Sequence, residues 1–166
     1  MQLNSQRLKI IPLELRHFKL LLSGVDKMEK ALNLSPSDSG LNEHTLSAMR
    51  WLYGQAENDK ENYLFYTNWQ IILKSENISI GSACFKGIPD NTGTVEIGYG
   101  IDEKFRCKGY MTEAVKEILK WALDKNEIKC VTAETEKDNI ASHKVMIKNG
   151  MILFKETDST YFWKTK

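Results

Sequence analysis

The chain has 166 residues, 42% of them hydrophobic and 27% charged, with a formal net charge of +1. That length suits a single domain over residues 1–166 and is enough to bury a sizeable core. A charge so near zero, with Lys and Arg interleaved among Asp and Glu, excludes the basic stripe of a nucleic-acid binder and the polybasic surface of a membrane-bound protein.

The opening residues Met1-Gln2-Leu3-Asn4-Ser5-Gln6 carry no apolar segment of the kind a secretory leader needs. Leu20-Leu21-Leu22 is far too short to span a bilayer. Lys9-Ile10-Ile11-Pro12 reads as a short strand ended by proline, and Glu14 to Leu22 as a helix. Periodicity weakens from Ser23 to Asn42, where Ser35-Pro36-Ser37-Asp38-Ser39-Gly40 is a loop. Glu43 to Asn58 returns to a helical pattern, with Leu46, Met49, Leu52 and Tyr53 on one side.

The grammar then changes to strands. Tyr63 to Lys74, Ile78 to Lys86 and Thr94 to Ile101 read as an antiparallel meander, joined by a turn at Ser75-Glu76-Asn77 and a loop over 87–93. From Tyr110 to Leu123, Met111, Ala114, Val115, Ile118, Leu119, Ala122 and Leu123 form one apolar helical face. Glu113, Lys116, Glu117 and Lys120 fall on the other side. A strand from Lys129 to Thr135 follows, then a helix from Asn139 to Asn149 with Asn139 as N-cap and Gly150 just past its end. Met151 to Lys155 and Thr160 to Lys164 are the last strands. The pattern is that of one α+β domain with a mixed, mostly antiparallel central sheet and about four flanking helices.

Several chemistries are set aside. Cys84, Cys107 and Cys130 are odd in number and widely spaced, so no disulfide framework is expected and a reducing, cytoplasmic setting follows. His17, His44 and His143 are scattered, and no metal site is expected. No P-loop occurs. Gly98-x-Gly100 begins like a dinucleotide fingerprint, but Glu103 stands where its third glycine belongs. Ser142 and His143 are only sequence neighbours, which does not make them nucleophile and base.

The richest stretch is Phe105-Arg106-Cys107-Lys108-Gly109-Tyr110-Met111-Thr112-Glu113-Ala114. A basic turn with a glycine runs straight into an amphipathic helix. The first turn of a helix has unpartnered N–H groups and the positive end of the macrodipole, so it attracts anions. Arg106 and Lys108 add charge, and Gly109 lets a ligand approach the backbone closely. Taken alone, the same residues read equally as an ordinary turn with solvated cations.

The order of elements resembles the GNAT superfamily of acyl-CoA-dependent N-acyltransferases, in particular the branch of ribosomal-protein N-terminal acetyltransferases. The resemblance covers nearly the whole chain and is strongest from Ile71 to Met151. The superfamily's acyl-CoA motif, [QR]-x-x-G-x-[GA], reads here Arg106-Cys107-Lys108-Gly109-Tyr110-Met111, with Met111 departing at the last position. Asn139-Ile140-Ala141-Ser142, followed by Gly150-Met151, resembles a second family segment, with Met151 for phenylalanine. Val95-Glu96-Ile97-Gly98-Tyr99-Gly100-Ile101 resembles the preceding strand.

The resemblance implies a single GNAT-like domain and acetyl-CoA as co-substrate. Arg106, Lys108 and Gly109, with the amides of Cys107, Tyr110 and Met111, would hold the pyrophosphate. Tyr99, Gly100 and Ile101 would offer backbone groups to the pantetheine arm, with this strand splaying from the strand at Lys129 to Thr135. One N–H near Gly98 to Gly100 would stabilise the oxyanion; read plainly, the glycines mark a bulge. Glu96 matches the family's catalytic glutamate and is the candidate general base; its other reading is a solvated strand residue. Asn139 would contact the cofactor or serve only as N-cap. Many members have an acidic tyrosine seven residues after this asparagine; here that position is Met146, which leaves Ser142 or water to protonate the CoA thiolate. Cys107 has no acyl-carrier role in this reading. Trp51, Trp69, Trp121 and Trp163 read as core or wall, and Trp69 is the one placed toward the acceptor side.

The expected function is therefore transfer of an acetyl group to a primary amine, on a protein N-terminus or small molecule, by direct attack in a ternary complex. The acceptor pocket falls to Arg16–Asp59 and the C-terminal strands, which carry no recognisable motif. The alternative is a CoA-binding sensor without catalysis, favoured by Met111 and the absent tyrosine. Homodimers are common in the family, and nothing in the sequence fixes an interface.

Overall fold

The computed structural model describes all residues, Met1–Lys166. Its strands are β1 (Leu3–Asn4), β2 (Leu8–Pro12), β3 (Asn68–Leu73), β4 (Ile78–Phe85), β5 (Thr94–Ile101), β6 (Cys130–Glu136), β7 (Ile152–Glu156) and β8 (Thr160–Lys164). The helices are α1 (Leu15–Ser23), α2 (Val25–Ala31), α3 (Glu43–Asn58), α4 (Tyr110–Leu123) and α5 (Ile140–Lys148). One mixed sheet runs β1-β2-β3-β4-β5-β6-β8-β7. Every neighbouring pair is antiparallel except β5–β6, where α4 supplies the crossover that a parallel pair needs.

Helix α4 covers one face of the sheet. Its stripe of Met111, Ala114, Val115, Ile118, Leu119 and Ala122 is buried against Leu8, Ile10, Ile71, Ile80, Val95, Ile97, Val131 and Ala133. Each large aliphatic side chain so buried contributes about 1.5–3 kcal/mol. A smaller cluster of Leu13, Phe18, Leu21, Met28, Met49 and Leu52 ties α1, α2 and α3 together. The chain thus places α4 on one side of β5, with Val95 and Ile97, and leaves Glu96 for the other.

Three features differ from the sequence expectation. Tyr63–Phe65 forms a 3-10 turn, and the strand begins only at Asn68. Leu64 O accepts a hydrogen bond from Trp69 Nε1 at 3.0 Å, and Phe65 packs edge-on against Phe85, so core packing overrides the local β-propensity. Trp69 is not an acceptor wall: it is fully buried, 4.6 Å from Trp121 between ring centroids. The 25–31 stretch, where periodicity was weak, is helical because Met28 anchors it in the smaller cluster.

Candidate active site

Beyond the pair Glu96–Thr132, β5 and β6 no longer bond to each other. β5 stays paired to β4 through Ile101, while β6 stays paired to β8. A V-shaped gap opens between them, and it leads into a cleft of about 680 Å³. The cleft is walled by Tyr99, Gly100 and Ile101 of β5, by the 105–112 turn, and by Asn139, Ser142, Lys144 and Lys148 at α5.

The turn explains itself residue by residue. Cys107 has φ +59° and Gly109 φ +81°. Two left-handed residues so close together reverse the chain and aim its amides inward, and Gly109 adopts that conformation without strain. The N–H groups of Cys107, Lys108, Gly109, Tyr110, Met111 and Thr112 donate to no other group of the protein; the first helical bond is Glu113 N to Gly109 O at 3.1 Å. A run of free, converging amides at a helix N-terminus fits a pyrophosphate.

Arg7 braces this turn, a role the sequence did not reveal. Its Nε donates to Glu113 Oε2 at 2.7 Å and its Nη1 to Lys108 O at 3.0 Å, with the guanidinium 4.4 Å from the Tyr110 ring centre. Glu113 also accepts from Arg7 N–H at 2.8 Å and Ser5 Oγ at 2.6 Å. Glu113 is therefore a clamp residue and not one of a solvated helical face. Burial alone would raise its carboxyl, but the bonds from Ser5 and Arg7, with the Arg7 charge, hold it below the usual carboxylate range. Nothing in the local sequence links Arg7 to a helix more than a hundred residues away.

Most of the expected cofactor residues come together: Tyr99, Gly100, Ile101, Arg106, Cys107, Gly109, Tyr110, Met111 and Asn139 all line the cleft. Lys108 does not; its Nζ lies 5.5 Å from the Phe105 ring centre and its carbonyl is held by Arg7. Met111 is only 5% exposed and belongs to the core cluster, so most of its bulk is directed away from the cleft. The cleft also gathers Lys144 and Lys148, whose i, i+4 spacing on α5 is the signal that could have found them.

Ser142 lines the same cleft. Asn139 is the N-cap of α5, its Oδ1 accepting from Ser142 N–H at 3.1 Å. Tyr99 Oη donates to Ser142 O at 3.3 Å, and burial pushes the Tyr99 phenol up to about 12 in spite of that bond. Tyr99 thus remains protonated and ties β5 to α5 across the gap. His143, by contrast, is buried beside Tyr161 and Trp163 with Nε2 2.9 Å from Glu136 O, a packing role.

Glu96 sits at the last β5–β6 pair, at the vertex of the gap, and does not line the cleft. Its carboxylate is ion-paired with Lys86 of the adjoining β4–β5 connection, and the same Nζ lies 3.6 Å from Glu134 Oε2 on β6. Burial alone would lower the Lys86 ammonium; the bonds and charges of Glu96 and then Glu134 overcome this and raise it. Glu134 and Lys86 were not foreseen, because each is an ordinary strand-end charge until the register brings them together.

The family model of the acetyltransferase (GNAT) domain matches residues 7–152. The uncharacterized N-acetyltransferase YjdG of Bacillus subtilis (strain 168) is 34% identical over 98 residues, 59% of this chain and 58% of that protein. The chain spans about half the length of the curated relatives it matches. The ribosomal-protein-S5-alanine acetyltransferase from Vibrio fischeri superposes with a TM-score of 0.73 at 15% identity, over 99% of this chain and 96% of that one. A ribosomal L7/L12 alpha-N-protein acetyltransferase solved in complex with coenzyme A gives 0.70 at 18% identity, over 99% and 97%. At these identities the structural likeness establishes the fold.

Proposed function

This chain belongs to the GNAT acetyltransferase family, and from that premise we propose that it is an N-acetyltransferase using acetyl-CoA to acetylate a primary amine, with residues 1–166 as one catalytic domain. The observation that carries this reading is the run of unbonded amides from Cys107 to Thr112, opening on a cleft beside the splayed β5–β6 pair. Any helix start leaves about four N–H groups unpartnered; here the amides of Cys107 and Lys108 join them, and all six lie at one end of the cleft where an anion can complete them. Arg106, Lys144 and Lys148 supply the charge that a nucleotide with several phosphates calls for. The co-substrate provides the activated acetyl thioester.

The rest is the work of this chain's residues. Tyr99, Gly100 and Ile101 bind the extended arm through backbone groups on the free edge of β5. An N–H at Gly98 to Gly100 holds the oxyanion that develops on the acetyl carbonyl. An alkyl ammonium has a pKa of about 10 and must lose a proton before it attacks. Glu96, directly or through one water, accepts it. Lys86, itself paired with Glu134, orients that carboxylate, so the proton is taken from an amine arriving on the Glu96 face while the acyl donor arrives through the cleft. Ser142 or water returns a proton to the departing thiolate.

A primary amine suits the relatives, whose names specify the α-amine of ribosomal proteins L7/L12 and a ribosomal protein S5 alanine. The burial of Met111 weakens the alternative of a CoA sensor without catalysis, since the larger residue leaves the cradle open. A thermal melt with acetyl-CoA, CoA and ATP tests the premise. At a hundred times Kd, acetyl-CoA and CoA should each stabilise the fold by about 2.7 kcal/mol. Thiol release with peptides bearing free N-termini then tests transfer. No shift at millimolar acetyl-CoA would return the 106–111 turn to an ordinary surface loop.

A further inference from the structure

Lys86 follows directly on β4, and its N–H donates to Glu96 O at 2.9 Å. The two residues are the next step of the β4–β5 register after Phe85 and Ile97, so their side chains share one face of the sheet. Lys86 Nζ is ion-paired with the Glu96 carboxylate and leans across to within 3.6 Å of Glu134 Oε2. Glu134 lies two residues beyond Thr132, the last β6 residue paired with β5. The ammonium therefore sits over the vertex of the gap and spans its two sides. It is not sealed there, since 51% of the Lys86 side chain is open to solvent.

Beyond Glu96, the β5 positions on this face are Gly98 and Gly100. A Cβ at Gly98 would meet only Cys84 Sγ, at 3.9 Å, and one at Gly100 would meet nothing within 4 Å. The way from Lys86 to the Gly98 N–H is thus clear of β5 side chains, over about 7 Å of strand. Among the lysines only Lys86 and Lys137 stand in ion pairs, and Lys137 pairs with Glu156 on the edge strand β7. Lys86 is the one lysine amine held against the proposed base. We propose that Lys86 is a self-acetylation site: with acetyl-CoA bound and no acceptor present, the enzyme transfers the acetyl group to its own Lys86 Nζ. This inference rests on the acetyltransferase reading above.

The ammonium gives one proton to Glu96, and the neutral nitrogen swings from the carboxylate toward Gly98. It attacks the acetyl carbonyl carbon, and the C–N bond forms as the C–S bond breaks. The second nitrogen proton passes, through Ser142 or water, to the departing thiolate, and Glu96 releases its proton to solvent. Nothing is oxidised or reduced. Burial opposes the Lys86 charge, but the bonds and charges of Glu96 and then Glu134 keep the nitrogen protonated, so the step is slow. The product is a neutral amide, which can no longer pair with either carboxylate. Glu96 loses the group that orients it, and amine turnover falls. Self-acetylation is therefore a brake that sets when acetyl-CoA is plentiful and acceptor is scarce.

The test incubates the full chain with acetyl-CoA and no acceptor, then reads intact mass and the modified position by peptide mass spectrometry. One acetyl group on Lys86 is expected. Its rate per chain should be independent of chain concentration, suppressed by excess CoA and at least about tenfold slower in Glu96→Gln. Turnover of a peptide acceptor added afterwards should fall in step with the label. Lys86→Arg keeps a cation beside Glu96 but offers no amine, so its own turnover should be the same with and without the incubation. Label spread over surface lysines, undiminished by CoA and by Glu96→Gln, is solution chemistry and overturns the site. A rate that rises with chain concentration assigns the transfer to a second copy and overturns it too. Peptide acetylation with Lys86 unmodified overturns self-transfer alone. No label together with no stabilisation by acetyl-CoA in the melt overturns the acetyltransferase reading, and this inference with it.

Discussion

The two halves of this molecule make their sites from different materials. Between residues 94 and 151 the site is largely backbone: free amides from Cys107 to Thr112, the unpaired edge of β5, and a glycine at φ +81°. Between residues 21 and 46 a second cavity is lined by side chains of α1, α2, α3 and a loop, with Asp26 and Glu29 one turn apart on α2 and Asp38 brought beside them by the loop. A backbone site must be spelled locally, because it depends on which residues tolerate the required φ and ψ. A side-chain site can be assembled from almost any order of residues. The first kind therefore shows in a sequence as a motif, and the second does not.

Substitutions can break this contrast or sharpen it. The largest effect is expected from Glu96→Gln, which removes the proposed base but no cleft wall. Amine turnover should fall about 100- to 10,000-fold, while acetyl-CoA affinity, read calorimetrically, stays as in the wild type. An unchanged rate would assign proton removal to solvent. Gly109→Val comes next. A β-branched residue at φ +81° costs about 1–2 kcal/mol, and its Cβ would come within 3.4 Å of Arg7 Nη2. Acetyl-CoA Kd should rise at least about tenfold, with the remaining effect on stability seen in the melt. An unaltered Kd would mean that side chains and not backbone hold the phosphates.

The smallest effect belongs to Arg7→Met, which removes a brace and no ligand contact. The ion pair is partly solvent-screened, so a loss of about 1 kcal/mol or less is expected, or about 2–4 °C in Tm. Its signature is in acid. Glu113 lies below its ordinary 4.5 in the folded chain. Its contribution is fully present above 4.5 and is lost as pH falls through the lower folded value. Arg7→Met brings the folded value back toward 4.5, so the acid limb of a stability-against-pH curve should flatten. A limb as steep as in the wild type would show that Ser5 and the Arg7 amide suffice.

The sheet was legible where one face is buried and the other is not. Thr94–Ile101 and Tyr110–Leu123 follow from periodicity alone, since α4 needs one apolar stripe and β5 alternates. Tyr63–Phe65 misled because aromatic residues suit both a strand and a core-filling turn, and only the Trp69 Nε1 bond to Leu64 O decides between them. α2 was hidden because seven residues with a single anchor at Met28 give too little repeat to detect.

What the sequence determined by itself is the α4 stripe, the α5 cap at Asn139, the glycine at the cradle and the order of β5, turn and helix. Each depends on residues within a few positions of one another, so local sterics and hydrogen bonding suffice. The tertiary structure alone decided that Arg7 clamps Glu113, that Lys86 stands between Glu96 and Glu134, and that Glu29 faces an acidic cavity. The Arg7–Glu113 and Lys86–Glu134 contacts join segments far apart in the chain, and they exist only once burial of the two cores has set the strand register.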